Sequence, residues 1–276
     1  MSTIPTVRRV VAGVCPSCDG TDFSAMSVPE RGVTIAICAG CNLYINLRPT
    51  TATDAADAGV YDAGYHQQMG YDAEDARKIV TNGYRLQLLE NLRAPGAFLD
   101  VGCSLGTFVE AARRRGWDAH GADISADAVE ACRRRGLRAT VGDMRHLDYP
   151  DNTFDVLNLR HVLEHDVQLW ECLAELRRVL KPGGLLYLEV PCVDCIPVRR
   201  KHERYVKFWH DFHCYWFSKQ SIRNILGQAG FTERPLPRFG RRGLANPRYL
   251  LWLAHRAVMQ ATERATYDVS VWEKTA

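Results

Sequence analysis

From residue 97 onward the chain alternates short β-branched or apolar runs with helical stretches, and this alternation narrows the possible folds more than any other feature. The runs are Ala97 to Val101, Ala119 to Ile124, Arg138 to Val141, Phe154 to Leu159 and Leu185 to Val190, with helices expected over 106–115, 125–135 and 166–180. Strands spaced by helices in this way make βαβ units and a parallel sheet. A later helix over 218–229 stops at Gly230, and Phe231 to Pro235 with Thr266 to Trp272 read as a terminal strand pair. Between that pair, Tyr249 to Met259 is apolar enough for a helix. Upstream, Ile79, Val80, Tyr84, Leu88 and Leu92 line one side of an amphipathic helix that ends at the Pro95-Gly96 break. The small, polar residues 49–60 read as a linker or a loosely packed helix. At about 150 residues per domain, 276 residues make one medium domain with a small appendage, and 46% apolar residues can fill its core. The expected division is residues 1–50 and residues 61–276.

Ten cysteines raise the question of compartment. Met1 to Val10 lacks the apolar stretch of about 7 to 15 residues that marks a signal peptide, and no later run approaches the ~20 residues of a membrane span. A soluble cytoplasmic protein is expected, with cysteines that hold metal rather than disulfides. Cys15-Pro-Ser-Cys18 and Cys38-Ala-Gly-Cys41 are two Cys-x2-Cys pairs separated by 19 residues, the pattern of a four-cysteine zinc ribbon. An all-thiolate tetrahedron leaves no open position for chemistry, which favours a structural zinc; the other reading, a nucleic-acid-binding ribbon, finds only Arg31 and Arg48 close by. Cys192-Val-Asp-Cys195 has no partner pair and reads as two ordinary thiols.

Three strand ends carry chemistry. In Phe98-Leu-Asp-Val-Gly-Cys-Ser-Leu-Gly106, two glycines let the backbone turn tightly against a ligand, but the spacing is not Gly-x-Gly-x-x-Gly. Asp100 would repel a pyrophosphate and suits an ammonium. Asp123 ends the second strand, where a carboxylate accepts two ribose hydroxyls, and Asp143 ends the third, within reach of an adenine amino group. Each acid alone is an ordinary strand-end cap. Together they point to an adenosine ligand with a positively charged appendage.

The order Leu99-Asp-Val-Gly-Cys-Ser-Leu-Gly106, Gly121-Ala-Asp-Ile-Ser125, Val141-Gly-Asp-Met144, Phe154-Asp-Val156 and Leu180-Lys-Pro-Gly-Gly184 resembles class I S-adenosylmethionine-dependent methyltransferases. The resemblance spans about residues 61 to 275 and implies an α/β, Rossmann-like seven-stranded methyltransferase sheet whose last strand inserts antiparallel, here with a small N-terminal zinc ribbon. It implies S-adenosyl-L-methionine as cofactor, with Asp100, Gly102, Cys103 and Gly106 around the methionine moiety, Asp123 and Ile124 at the ribose, and Asp143 with Met144 at the adenine. Arg160 completes the expected set. Cys41-Asn-Leu-Tyr-Ile-Asn-Leu-Arg-Pro49 followed by Tyr61-Asp-Ala-Gly-Tyr65 is similar to sugar and natural-product tailoring methyltransferases. It departs from them at Asn42, where they usually carry Gly, and lacks the large C-terminal domain of the sugar C-methyltransferases.

Acceptor chemistry belongs beyond the carboxyl ends of the fourth and fifth strands. After the fourth comes Asn158-Leu-Arg-His161-Val-Leu-Glu164-His165, whose His161, Glu164 and His165 share one helical turn. One reading is a general base, His165 or His161, and another is a set of hydrogen-bonded residues shaping the cofactor site. A third is a divalent metal site, since the run resembles the Glu-x-x-Glu-His of some metal-dependent O-methyltransferases. After the fifth strand, residues 192–217 carry seven aromatics, three histidines and five basic residues against three acids. Tyr205, Phe208, Trp209, Phe212, Tyr215, Trp216 and Phe217 either sandwich a planar acceptor or pack the insertion onto the sheet. His210 and His213 are further candidates for catalysis, and the run from His213 to Ser218 resembles one that faces the acceptor in the tailoring enzymes. Tyr65 is expected to close over the cofactor.

With 35 Lys and Arg against 32 Asp and Glu, the net charge of +3 is too small for a protein that grips nucleic acid unaided. Residues 234–262 nonetheless hold six arginines and no acid, a strip suited to a solvated face, a homodimer contact or a phosphate-bearing substrate. The expected function is methyl transfer to a small-molecule acceptor of natural-product or sugar type, with His-assisted deprotonation. An RNA methyltransferase gripping through the ribbon and the arginine strip is the alternative.

Overall fold

The computed structural model describes residues 13–49, 76–205, 208–235, 250–252, 254 and 267–275. Strands β1 (Phe23–Val28), β2 (Val33–Cys38) and β3 (Tyr44–Asn46) form an antiparallel meander. The first cysteine pair lies ahead of β1, and the second begins at Cys38, the last residue of β2. Each pair turns through a left-handed residue directly after its second cysteine, Asp19 and Asn42, both at φ 55°. Asp and Asn visit that region at lower cost than other non-glycine residues, so Asn42 makes the turn without a glycine.

Helix α1 (Ala76–Glu90) leads into the main sheet, where β4 (Ala97–Val101), α2 (Thr107–Arg114), β5 (Asp118–Asp123), α3 (Ala126–Arg134) and β6 (Arg138–Val141) wind outward in succession. The chain then returns past β4 to β7 (Phe154–Arg160), α4 (Leu169–Val179) and β8 (Leu180–Pro191). The short helix α5 (Ile196–Lys201) and the two-residue strand β9 (Tyr215–Trp216) lie in the insertion; α6 (Lys219–Gln228), β10 (Phe231–Arg234) and β11 (Tyr267–Lys274) complete the order. The seven-stranded sheet runs β10-β11-β8-β7-β4-β5-β6, parallel from β8 to β6, with β11 antiparallel to both neighbours. This is the Rossmann-like methyltransferase arrangement expected from the sequence. Helix α4 starts at Leu169 rather than 166 because Leu163–His165 forms a separate 3-10 turn.

Near-continuous apolar runs in β4, β7 and β8 are buried on both faces, as strands covered by helices on each side must be. One core lies against α1, α2 and α3, around Leu86, Phe98, Phe108 and Trp117. The other joins α4 and α6 to the ribbon, so that Leu43 and Ile45 share a cluster with Leu157, Leu173 and Ile225. The ribbon is also tied to the insertion covalently distant from it: β9 pairs with β3, placing Tyr44 opposite Trp216 and Ile45 opposite Tyr215. A third cluster of Val28, Ile35, Tyr44, Trp209 and Trp216 fills the space between them. Five of the insertion's seven aromatics, Phe208, Trp209, Tyr215, Trp216 and Phe217, are thus buried as packing. No helix among the described residues is long and apolar enough to cross a membrane.

Candidate active site

The outward winding stops at β6 and restarts at β7, so the sheet's switch point lies between β4 and β7, where α/β sheets open a crevice at the strand ends. Asp100 and Asn158 face each other across it in register. Asp100 is 4% exposed and accepts a hydrogen bond from Asn158 Nδ2 at 2.6 Å. Burial pushes its carboxyl up to about 7, against the opposing pull of Asn158 and the nearby Arg160. Asn158 Oδ1, also buried, has no partner among the described residues.

Above this pair the chain turns through Gly102 (φ 73°), Ser104 (φ 48°) and Gly106 (φ 76°). A side chain at Gly102 would collide with Val162, and one at Gly106 would meet Leu137 and Cys132 at 2.7 and 2.8 Å. These glycines therefore let the loop pack against its protein neighbours as well as turn. Asp123 organises the loop from the neighbouring strand: Oδ2 accepts the Ser104 backbone N–H at 2.7 Å and Oδ1 accepts that of Ser125 at 2.9 Å. Cys103 is buried against Gly121, Ile124 is half-buried and Met144 is 7% exposed. Asp143 is clamped by Arg145, which also reaches Asp166 at 3.3 Å. Burial opposes ionisation of Asp143, but Arg145 holds its carboxyl below the usual range.

Past β7, His161 (φ 55°) turns the chain into the 3-10 segment. Its Nδ1 donates to Glu164 Oε1 at 3.3 Å. Burial disfavours charge on His161, yet Glu164 raises its pKa, while His161 and its neighbours hold the wholly buried Glu164 carboxyl below its usual value. His165 Nδ1 donates to the Phe212 carbonyl at 3.0 Å. The His165 and His213 rings meet edge to face at 4.8 Å, and His210 lies 5.2 Å from His213. Burial, reinforced by His165, lowers His213 to about 3. The structure thus brings His161, Glu164, His165, His210 and His213 together, while Tyr65 lies outside the described residues.

Arg160 turns to the buried Glu189 (3.0 Å), which also receives Arg85 at 2.7 Å and the Tyr187 hydroxyl at 2.6 Å. Burial favours the neutral acid there, but the two arginines keep Glu189 well below the usual carboxylate range. Sequence reasoning missed Glu189, Arg85, Asn158 and Asn46. Glu189 and Asn158 left a signal, a polar residue inside an otherwise apolar buried strand, which demands a partner. Asn46 left none: its Nδ2 donates to the carbonyls of Asp211 and His213 at 3.2 and 3.1 Å, holding the histidine segment from the ribbon.

At the other end, one sulfur from each of Cys15, Cys18, Cys38 and Cys41 lies within 4.8 Å of the other three. The Cys15–Cys41 and Cys18–Cys38 separations are 3.6 and 3.5 Å. Zn–S bonds of about 2.3 Å place tetrahedral sulfurs ~3.8 Å apart, so the set is compatible with zinc. The Cys15 thiol, donating to Cys41, drives Cys41 down to about 5 and is itself pushed up; a dication would replace that shared proton.

Comparison with known proteins agrees with this architecture. The chain is 31% identical over 150 residues to an uncharacterized 37.1 kDa protein in transposon TN4556 of Streptomyces fradiae, covering 50% of this chain and 43% of that one. It is 32% identical over 134 residues to 27-O-demethylrifamycin SV methyltransferase of Amycolatopsis mediterranei, covering 45% and 48%. The matches therefore span about half the length of these relatives. The crystal structure of Burkholderia thailandensis 1,6-didemethyltoxoflavin-N1-methyltransferase superposes with a TM-score of 0.54 at 17% identity, covering 92% of this chain and 100% of that one, a likeness of fold. The family described as a methyltransferase domain matches residues 71–234, which take in the switch point, the glycine loop and the histidine cluster, and the chain belongs to that family.

Proposed function

We propose that this chain is an S-adenosylmethionine-dependent methyltransferase acting on a small-molecule acceptor, with a structural zinc in its ribbon. The observation that carries the reading is the buried pair at the switch point. Asp100, poised near neutrality by burial, and Asn158 Oδ1, which lacks a donor among the described residues, form a site that an incoming ammonium satisfies. These oxygens accept, which suits the ammonium of an amino-acid moiety rather than a pyrophosphate. Asp123, a carboxylate at the end of β5 beside the glycine loop, fits a ribose diol, and Ile124 and Met144 fit the apolar surroundings of a base. Asp143 is committed to Arg145, so its part is to brace the loop around the adenine rather than to bond the ring directly.

The cofactor supplies a methyl group activated on a sulfonium. The protein's share is to hold the acceptor in line and to ease the loss of its proton. The histidine cluster assists that loss as a unit: His213 stays neutral, His165 is oriented by the Phe212 carbonyl, and His161 is braced by Glu164. The relative that methylates a rifamycin supports a natural-product acceptor. The ribbon supports the acceptor side of the site through β9 and Asn46, which gives it a role without nucleic acid. Of the six arginines in 234–262, only Arg234 falls within the described residues, where it pairs with Glu273 at 3.2 Å.

Calorimetry with S-adenosylhomocysteine tests the cofactor half of the reading. Asp123→Ala should abolish measurable binding, since each buried hydrogen bond left unmade costs about 1 to 3 kcal/mol. Unchanged affinity would remove the assignment. Transfer of labelled methyl to a small-molecule panel but not to mixed RNA tests the acceptor half, and a labelled RNA product would reverse it.

A further inference from the structure

Glu164, His165 and His213 come from two separate segments, yet one ligating atom of each lies within 4.8 Å of the others. Two of the polar atoms here have no hydrogen-bond partner among the described residues. Glu164 is wholly buried, and its Oε2 has no hydrogen-bond partner among the described residues, although Oε1 is held by His161. His213 Nδ1 is likewise buried and without a partner among the described residues. Because His165 Nδ1 donates to the Phe212 carbonyl, its hydrogen sits there and Nε2 presents a lone pair. This is the tautomer and orientation that an outer hydrogen bond imposes on metal-bound imidazoles. A buried acceptor without a donor costs about 1 to 3 kcal/mol, more when charged. A cation at their common centre relieves the group together.

We propose that Glu164, His165 and His213 bind a divalent first-row transition-metal cation, with at least one coordination position open toward the acceptor. Two nitrogens and one carboxylate oxygen suit zinc, iron, cobalt or nickel better than the all-oxygen preferences of calcium and magnesium. Bonds of about 2.0 to 2.2 Å put adjacent ligands ~3.0 to 3.5 Å apart, which small side-chain rotations reach from the present spacing.

The surroundings are built to hold this geometry. Cys214 N donates to the Glu164 carbonyl at 2.7 Å and Cys214 Sγ to the His165 carbonyl at 3.3 Å, pinning the two segments together. Asn46 fixes the His213 carbonyl from the ribbon side. Val162, between the two histidines of the first segment, packs on Gly102, so the site adjoins the glycine loop. The cation's use rests on the methyltransferase reading: a hydroxyl bound at the open position loses its proton more readily and is oriented for attack. The site itself stands on its donor atoms.

The test uses the full chain, zinc-supplemented and then dialysed against a weak chelator that leaves thiolate-bound zinc in place. Cobalt(II) is titrated by calorimetry with the visible spectrum recorded in parallel. One cobalt per chain, with d–d bands and no thiolate-to-cobalt charge transfer, is expected, and Glu164→Gln and His213→Asn should each weaken it about tenfold or more. No binding, charge transfer from sulfur, or equal affinity in both variants overturns the site. S-adenosylhomocysteine affinity, measured on the same samples, reports whether each variant is folded; if a variant is not, nitrogen hyperfine coupling on wild-type-bound copper(II) decides, its absence overturning the site. A wild type that binds cobalt but not S-adenosylhomocysteine keeps the metal site and sinks the methyltransferase reading.

Discussion

Cys15, Cys18, Cys38 and Cys41 sit on two knuckles of one meander, and their sulfurs gather around one centre. Glu164, His165 and His213 are brought together across the switch-point side of the molecule, with two buried polar side-chain atoms lacking partners among the described residues. Four thiolates close a tetrahedron and leave nothing for a substrate, whereas three mixed donors leave a position open. The first arrangement suits stability and the second suits chemistry. The two are mechanically joined, because β9 extends the ribbon sheet and the same short run carries His213.

The sharpest way to break that division of labour is to remove one thiolate. Cys41→Ser should lose the ribbon zinc and produce the largest drop in melting temperature of any substitution considered, since structural zinc contributes on the order of 10 kcal/mol to folding in small zinc domains. Metal analysis and a thermal scan check it. Zinc loss with an unchanged melting temperature would mean that the ribbon is not the clamp. His165→Ala should act in the other way, lowering turnover by roughly 10² to 10⁴ while S-adenosylhomocysteine affinity and melting temperature stay near wild type. Parallel loss of cofactor binding would place His165 in the scaffold instead.

The same contrast explains what the sequence made legible. Two Cys-x2-Cys pairs announce themselves because each knuckle is local, four residues within one tight turn. The βαβ alternation and the acids at 100, 123 and 143 were readable because strand ends in a parallel sheet all point to one edge. His161, Glu164 and His165 were visible as one turn, but their completion by His213 depends on the fold of the insertion and on the β3–β9 pairing. Nothing at Asn46 or Cys214 hinted at that pairing. The insertion's aromatics were open to two readings, an acceptor sandwich or packing of the insertion, and the structure buries five of the seven as packing, several of them against the ribbon. Arg160 was expected at the cofactor, and in the structure its guanidinium pairs with the buried Glu189 at 3.0 Å.

Asn46 is the hinge of the comparison, since it belongs to the ribbon and holds the chemistry. Asn46→Ala leaves the Asp211 and His213 carbonyls without their side-chain donor. The expected cost is about 1 to 3 kcal/mol of stability and on the order of a tenfold fall in kcat, the usual range for residues that orient a ligand or catalytic group. KM for the cofactor should not move. A rise in that KM with kcat intact would show that the ribbon supports the nucleotide side instead.

The smallest expected effect lies on the cofactor side of the cleft and isolates it from both proposed metal-ligating sets. Asp100 has a folded pKa of about 7 against an ordinary value of 3.8, raised by burial. For the free protein the sign is a penalty: absent below the unfolded value, it grows as pH rises, because the unfolded carboxyl ionises first, and it is complete above about 7. An ammonium needs the ionised form, so cofactor binding below neutrality must first expel that proton. Affinity for S-adenosylhomocysteine should therefore be flat above pH 7 and fall below it, by at most about tenfold per pH unit, with proton release on binding. Calorimetry in buffers of different ionisation enthalpy counts the proton directly. Asp100→Asn should weaken binding and flatten this dependence, while zinc content and cobalt binding stay as in the wild type. An affinity rising toward low pH, or no proton released at pH 6, would show that the buried carboxylate does not receive the ammonium, and the switch-point pair would then need another ligand to explain its unmet acceptor.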